Sequence, residues 1–240
     1  MGGNGAVGTD RNTLADSMSD RDPKPIGTLI DRKELGLPNV TTTAPDPCDI
    51  AAIIRRQRLD AFHRQCPPEF HVAIDESKLP SIKAWKEADT WHGDFPGLWL
   101  WSKETGMGKT RMLWRKFGEL HVQRGFSVQR TTGLNLAEEY HDAFNRNQTA
   151  NFYRAICCVQ VVMLDDLDKM PLPERNLGFG ATEHAARNAR MLRELFDTFY
   201  EEHTRIVVTA NQPIAWFAQR IGESAERRMR AVCVEVNFQP

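Results

Sequence analysis

From residue 97 onwards, the sequence alternates short apolar runs with longer amphipathic segments. Short apolar runs are typical of strands buried on both faces of a sheet, and amphipathic segments are typical of the helices that cover those faces. Five strands separated by helices predict an α/β fold with a five-stranded parallel sheet. The predicted strands span residues 97–102, 126–131, 159–164, 205–209 and 232–238.

Helices are predicted from the spacing of apolar residues and from signals at helix ends. Asp49 is a typical N-cap, and Gly125 is a typical residue after the end of a helix. The helix that follows the first strand is therefore expected to end near Arg124. The other predicted helices span residues 49–65, 81–91, 134–145 and 182–203, and a short helical region follows Pro213.

The N-terminal part of the chain differs in composition from the rest. Residues 1–47 hold six of the 16 glycines and five of the 13 prolines, without apolar periodicity. Such a segment buries too little apolar surface to offset the entropy lost on ordering. We therefore predict a disordered tail over residues 1–47, a helical segment over 48–92 and the sheet-containing domain over 93–240.

A glycine-containing loop connects the first predicted strand to the helix after it. It ends like the phosphate-binding pattern G-x-x-x-x-G-K-[ST], although Lys103 stands where that pattern has its first glycine. In such loops, backbone N–H groups surround phosphate oxygens, the lysine reaches the β- and γ-phosphates, and the hydroxyl holds Mg²⁺. The flanking strand and helix favour this interpretation over an ordinary turn. The predicted nucleotide-binding residues are Thr105, Gly106, Met107, Gly108, Lys109, Thr110 and Arg111.

Polar side chains follow two further predicted strands. In VVMLDD, Asp165 is positioned to bind Mg²⁺ through water, and Asp166 to polarise an attacking water molecule. An acidic turn that caps a helix is the alternative for these two residues. Asn211 comes after the strand IVVT and is expected to help orient the same water molecule.

Two groups of arginines are consistent either with a solvated surface or with a functional role. Arg227, Arg228 and Arg230 precede the last strand, and they are either a solvated face or the source of an arginine finger for a neighbouring subunit. The predicted helix 182–203 contains three arginines at threefold spacing, which fit a DNA-binding patch, although a solvated face is favoured. These three residues are Arg187, Arg190 and Arg193.

The overall charge and the cysteines exclude several classes of protein. With 31 basic and 32 acidic residues, the net charge of −1 provides no general attraction to nucleic acid or to an anionic membrane, so any DNA contact must come from a local patch. The five cysteines form no C-x-x-C pair, which argues against a zinc site, and an odd number fits a reducing compartment. Without an apolar run of about 20 residues, we predict a soluble cytoplasmic protein that does not contact membranes.

The order of these motifs resembles the DnaC/IstB-type AAA+ ATPases, which comprise bacterial and phage replicative-helicase loaders and related transposition ATPases. The resemblance covers about residues 60–240 and depends on the glycine loop, VVMLDD, VVTAN and IGESAERRMR. It implies a P-loop AAA+ core with the loop strand central in the sheet and no C-terminal lid domain.

The same resemblance implies function and partners. ATP and Mg²⁺ are the expected cofactors, and ATP hydrolysis is the expected activity. A replicative helicase and single-stranded DNA are the expected partners of a homo-oligomer. The implied roles are phosphate and Mg²⁺ binding for Lys109 and Thr110, a Walker B pair for Asp165 and Asp166, a sensor for Asn211 and an arginine finger for Arg228.

The chain departs from the family pattern at three positions. Lys103 replaces a glycine, Asp166 replaces the longer glutamate of many relatives, which could slow hydrolysis, and Asp168 stands where a glycine is common. The alternatives are an IstB-like transposition helper, which binds double-stranded DNA and a transposase, and a nucleotide-gated binding module with little hydrolysis. A small-molecule kinase fits the paired aspartates and the arginine cluster less well. The helix near residues 49–66 is the candidate element for binding a partner.

Overall fold

The structure is a computed structural model in which residues 47–71, 75, 79–174 and 182–239 are described. The predicted tail lies outside these residues except for Pro47, where the first helix begins. The N-terminal elements are α1 Pro47–Gln65, α2 Ile82–Asp89, β1 Gly97–Trp101, α3 Lys109–Phe117, β2 Val128–Thr132, α4 Gly133–Asn145, α5 Thr149–Cys157 and β3 Val161–Asp165. The C-terminal elements are α6 Glu183–Glu201, β4 Arg205–Ala210, α7 Ile214–Ile221, α8 Glu223–Val232 and β5 Cys233–Asn237.

The five strands form one parallel sheet in the order β2-β3-β4-β1-β5. The predicted α/β class and the parallel five-stranded sheet are therefore confirmed. Strand β1, which leads into the glycine loop, is an interior strand, since Leu98 pairs with Val207 of β4 and with Val234 of β5. The middle position of the sheet belongs to β4.

Successive residues of a strand enter different apolar clusters, because side chains alternate between the two faces of a sheet. On one face, Trp99 packs against the rings of Phe196 in α6 and Phe217 in α7, at centroid distances of 6.3 and 5.0 Å. On the other face, Leu98 lies in the cluster that contains Trp114 of α3. Helices thus cover both faces, and the loops that follow the strands meet at their carboxyl ends.

The first two helices pack on the same side as α3. Phe62 of α1 contacts Trp114 edge-on, with ring centroids 6.1 Å apart, and Trp85 of α2 is only 1% exposed within that cluster. The part of α1 before Phe62 leaves several apolar side chains exposed. These are Ile50, Ile53, Ile54 and Leu59. The proposed boundary between the segment 48–92 and the domain 93–240 stays a prediction.

Three local features differ from the sequence-based expectation. The sequence does not predict helix α5, although its buried Phe152 and Ile156 have helical spacing, because its N-cap is Gln148, whose side chain makes no capping hydrogen bond. After α3 the chain continues as a π-helical turn over Gly118–Gln123. Two helices follow Pro213, separated at Gly222, whose positive φ of 102° ends the first of them. Within the described part of the chain, no helix is long and apolar enough to span a membrane.

Candidate functional site

The glycine loop joins the carboxyl end of β1 to the first turn of α3. Gly106 and Gly108 have φ values of 76° and 93°. Residues with a Cβ adopt such positive φ values only at a cost in conformational energy. Gly108 is also the N-cap of α3, so the N–H groups of the first helical turn point into the loop. This backbone arrangement can accept phosphate oxygens.

Lys103 does not disturb the loop, because its position does not need a glycine. The described residues other than glycine with positive φ are Asn147, Asp166 and His203, so Lys103 has an ordinary backbone conformation. The first turn is instead stabilised by Ser102, whose Oγ accepts a 3.1 Å hydrogen bond from the Glu104 N–H. The missing glycine is therefore compatible with a phosphate-binding loop.

Lys109 points into the loop from the start of α3. Its side chain is buried, and Nζ donates to the carbonyl oxygens of Ser102 at 3.3 Å and Glu104 at 3.1 Å. Burial lowers the pKa of the Lys109 ammonium group, while the carboxylates of Asp166 and Asp168 act against that shift. Since none of the described carboxylates forms an ion pair with it, the ammonium group is available to an anionic ligand.

Asp165 lies at the carboxyl end of β3, where it is 3% exposed. Its Oδ1 accepts hydrogen bonds from the Thr110 hydroxyl at 3.2 Å and from the Thr209 hydroxyl at 2.6 Å. Its Oδ2 accepts a 2.5 Å hydrogen bond from Arg130 Nη2. The structure thus brings together Thr110 and Asp165, the two predicted metal ligands.

These two residues form a donor set that suits Mg²⁺. Mg²⁺ prefers oxygen ligands and is usually bound by one or two carboxylates together with phosphate oxygens and water. Thr110 contributes a hydroxyl and Asp165 a carboxylate, and among the described residues no cluster of three or more His, Cys, Asp and Glu side chains suggests a different metal. Any Mg²⁺ held here would take its remaining ligands from a bound phosphate and from water.

Asp166 adopts a left-handed backbone conformation, with φ 50° and ψ 49°, and its side chain lines the cleft above the loop. The Thr209 hydroxyl accepts a 2.8 Å hydrogen bond from the Asp166 N–H. Burial raises the pKa of the Asp166 carboxyl above its usual range, and the nearby charges of Asp165 and Asp168 add to the shift. A carboxylate with a raised pKa is a better proton acceptor, as a general base requires.

Asn211 lies just after β4 and also lines the cleft. Both its backbone N–H and its Nδ2 donate to Asp168, at 2.7 and 3.1 Å. Asp168 had been recognised from the sequence only as a departure from the family pattern. In the structure, Asp168 holds the Asn211 side chain in one orientation by accepting a hydrogen bond from Nδ2.

The cleft has a volume of about 360 Å³ and brings together most of the predicted site. All seven residues from Thr105 to Arg111 line it, as do Asp166 and Asn211. Sequence reasoning missed Phe70 and Lys169, which also line it, and Arg130 and Thr209, which bind Asp165. Phe70 lies far from the loop in sequence, in the segment CPPEF, which resembles the entry to the domain in the family but predicts no binding residue.

Arg228 does not line the cleft. It lies on α8, where Nε donates to Asp197 of α6 at 3.1 Å and the guanidinium group stacks 4.2 Å above the Tyr200 ring. Arg230 is bound to Glu226 and Glu235, and Arg227 is exposed. The structure therefore does not bring the predicted finger to the site of its own chain.

Comparison with known proteins identifies the fold. Domain III of the Thermotoga maritima replication initiation protein DnaA matches with a TM-score of 0.51 and 18% identity, over 72% of this chain and 66% of that chain. The DnaC helicase loader matches with a TM-score of 0.50 and 15% identity, over 65% of this chain and 86% of that chain. The chain has the AAA+ P-loop fold. The resemblance inferred from the sequence is thus confirmed at the level of the fold.

Other comparisons set the limits of this likeness. AMPPCP-bound DnaA from Aquifex aeolicus matches with a TM-score of 0.49 and 17% identity, over 69% of this chain and 48% of that chain. The matched part of the chain spans about half the length of that protein. No protein-family model matches the sequence, and no curated protein matches it.

Proposed function

We propose that the chain binds ATP and Mg²⁺ in the cleft at the carboxyl ends of β1 and β3. The observation that best supports this proposal is the combination of a buried lysine with a threonine–aspartate pair at one loop. Lys109 is held on loop carbonyls without an ion-pair partner among the described residues, and Thr110 bonds to Asp165. A bound triphosphate would replace the carbonyls as the acceptor for Lys109.

The proposed reaction is hydrolysis of ATP. Asp166 would accept the proton of the attacking water, and Asn211, which lines the same cleft, would help to orient that water. Mg²⁺, held by Thr110 and Asp165, would neutralise charge that develops on the phosphates. Arg228 would come from a second copy of the chain, so that each active site lies at a junction between subunits of a homo-oligomer.

We further propose a role in DNA replication, similar to that of helicase loaders. Helix α1 is the candidate partner-binding element, because Ile50, Ile53 and Ile54 are exposed on it. Isolated exposed apolar residues are common, but a group of them on one helix is typical of an interaction surface. The replicative helicase is the proposed partner.

A groove between α4 and α6 supports the proposed contact with single-stranded DNA. It has a volume of about 300 Å³ and contains Arg187, Arg190 and Arg193 beside Tyr140 and Phe144. The Arg187 guanidinium group stacks on the Phe144 ring at 4.3 Å. Arginines interleaved with aromatic rings can bind phosphates and stack on bases.

The first experiment measures complex formation with the hexameric replicative helicase of the host by mass photometry, in ATP, in ADP and without nucleotide. A nucleotide-sensitive complex is expected. The matched control carries Ile50→Ser, Ile53→Ser and Ile54→Ser at exposed positions of α1, and it should bind nucleotide but not helicase. If the folded, ATP-binding chain forms no complex under any condition, the loader proposal is wrong, and a transposition helper that binds double-stranded DNA becomes the better candidate.

Two contacts favour a second candidate, a nucleotide-gated binding module with little hydrolysis. Asn211 is engaged by Asp168, and Asp165 is engaged by Arg130, so two groups of the proposed site already have partners within the chain. Asp166 is also shorter than the glutamate common among relatives. A single-turnover assay with radiolabelled ATP distinguishes the two candidates, because the binding module would hold ATP without converting it to ADP.

A further inference from the structure

Arg130 forms an ion pair with the Asp165 carboxylate. Its Nη2 donates to Oδ2 at 2.5 Å, whereas the hydroxyls of Thr110 and Thr209 share Oδ1. The Asp165 side chain is 4% exposed, and that of Arg130 is 23% exposed. A charge-assisted hydrogen bond of this kind, shielded from water, is stronger than one between neutral groups. The carboxylate therefore receives a full positive charge from its own chain.

The arginine is held in place on more than one side. It lies in β2, where Arg130 pairs with Met163 and Thr132 pairs with Asp165, so its side chain runs along the strand to reach the carboxylate. Its guanidinium group lies 4.5 Å from the ring centre of Trp114, which is almost completely buried. This stacking fixes the plane of the guanidinium group while Nη2 points to Asp165.

The charge of Arg130 bears directly on metal binding. An Asp165 carboxylate with no cationic neighbour would attract Mg²⁺ with its full negative charge. With Arg130 bound to Oδ2, part of that attraction is cancelled, in the same way that an opposite charge within about 4–6 Å disfavours protonation of a carboxylate. The contact also restricts rotation of the carboxylate, which leaves Oδ1 facing Thr110.

We propose that Arg130 is a positioning residue that orients Asp165 and sets the Mg²⁺ concentration at which the nucleotide site is filled. This inference depends on the proposed nucleotide-binding function. It adds that this chain contains its own counter-charge at the metal-binding carboxylate, so it needs more Mg²⁺ than the same site would need without Arg130.

The test is a Mg²⁺ titration of fluorescent mant-ATP binding, which requires no turnover. Arg130→Gln keeps a hydrogen-bond donor but removes the charge, and its titration midpoint is expected at about tenfold lower Mg²⁺. Arg130→Lys keeps the charge but loses the planar guanidinium group that stacks on Trp114, so its midpoint should lie between those of the glutamine variant and the unaltered chain. An unchanged or higher midpoint for a folded Arg130→Gln chain would overturn the proposal, as would a lysine variant that behaves like the glutamine variant.

A second pair of variants covers the case in which Arg130→Gln does not fold, since it leaves a buried charge without its cationic partner. Asp165→Asn is compared with Asp165→Asn combined with Arg130→Gln. If Arg130 acts through its contact with Asp165, the Arg130→Gln change should shift the midpoint by much less than tenfold in the Asp165→Asn chain, and a full tenfold shift there overturns the proposal. If the unaltered chain binds no nucleotide, the proposed function fails together with this inference, whereas binding with an unshifted midpoint refutes only the role of Arg130.

Discussion

Short motifs predicted both the nucleotide cleft and a catalytic role for the arginines of α8. The structure brings most of the predicted cleft residues together, but it does not place Arg228 in the cleft. In the cleft, residues far apart in sequence come together: Thr110 bonds to Asp165, and Thr209 bonds to the same carboxylate. On α8, Arg228 is bound to Asp197 and Tyr200 of its own chain, away from the cleft.

The difference follows from how each region is built. The carboxyl ends of adjacent parallel strands lie side by side, so residues placed after β1, β3 and β4 must meet. An arginine on a surface helix has no such constraint and bonds to the nearest carboxylate. The cleft can therefore be complete within one chain, whereas a role for Arg228 in catalysis requires a second copy.

The largest expected effect tests the α8 side of this comparison. Arg228→Ala should lower ATP turnover by about 10³-fold, the lower end for loss of an arginine finger, and should leave ATP affinity unchanged. Its ion pair with Asp197 is partly exposed, so the loss of stability should stay within about 1 kcal/mol. Steady-state phosphate release and mant-ATP binding are measured together, with the exposed Arg227→Ala as the control. Normal turnover in the Arg228→Ala chain would show that Arg228 is not an arginine finger.

The next effect concerns the cleft. Lys109→Ala should weaken ATP binding by about 100-fold, since it removes charge-assisted hydrogen bonds to phosphate. Isothermal titration calorimetry gives the affinity. Lys103→Ala is the control, because Lys103 is exposed and has an ordinary backbone conformation, and its affinity should be unchanged within about twofold. Equal losses in both variants would mean that the first turn of the loop also holds the nucleotide.

A smaller effect is expected at the contact between Asp168 and Asn211. Asp168→Ala should lower turnover by about tenfold, because Asn211 loses two hydrogen bonds that orient it. Asn211→Ala serves as the reference. The double variant should be no slower than Asn211→Ala alone, and an additive loss would show that Asp168 acts independently of Asn211.

The smallest effect is one of stability and depends on pH. The pKa of Asp166 is raised mainly by burial, so the ionised form is disfavoured in the folded state. At pH 7, Asp166→Asn should raise the Tm by about 1–2 °C, a small shift because the side chain is partly exposed.

The sign of that effect is set by the direction of the pKa shift. As the pH falls from 7 towards about 4, Asp166 becomes protonated in the folded chain and the unaltered protein regains the lost stability. The difference in Tm between the two chains should therefore shrink on acidification, as measured by scanning calorimetry without nucleotide. A difference that grows instead would show that the Asp166 charge stabilises the fold.

The amino-acid sequence by itself determined the class of the fold and the position of the loop. Alternating apolar and amphipathic segments are local patterns, and Gly106, Gly108, Lys109 and Thr110 are contiguous, so no tertiary information was needed for them. The strand end at Asp165 was predictable for the same reason. Helix α5 also had a local signal, in Phe152 and Ile156, but Gln148 is not a typical N-cap, so the start of the helix could not be recognised.

Only the tertiary structure decided which side chains share a contact. Arg130 reaches Asp165 because β2 and β3 are neighbours in the sheet. Asp168 reaches Asn211 because the turn after β3 faces the end of β4. Phe70 lines the cleft from a turn that precedes the sheet. Such pairings depend on strand order and on distances between distant segments, and a linear pattern does not contain that information.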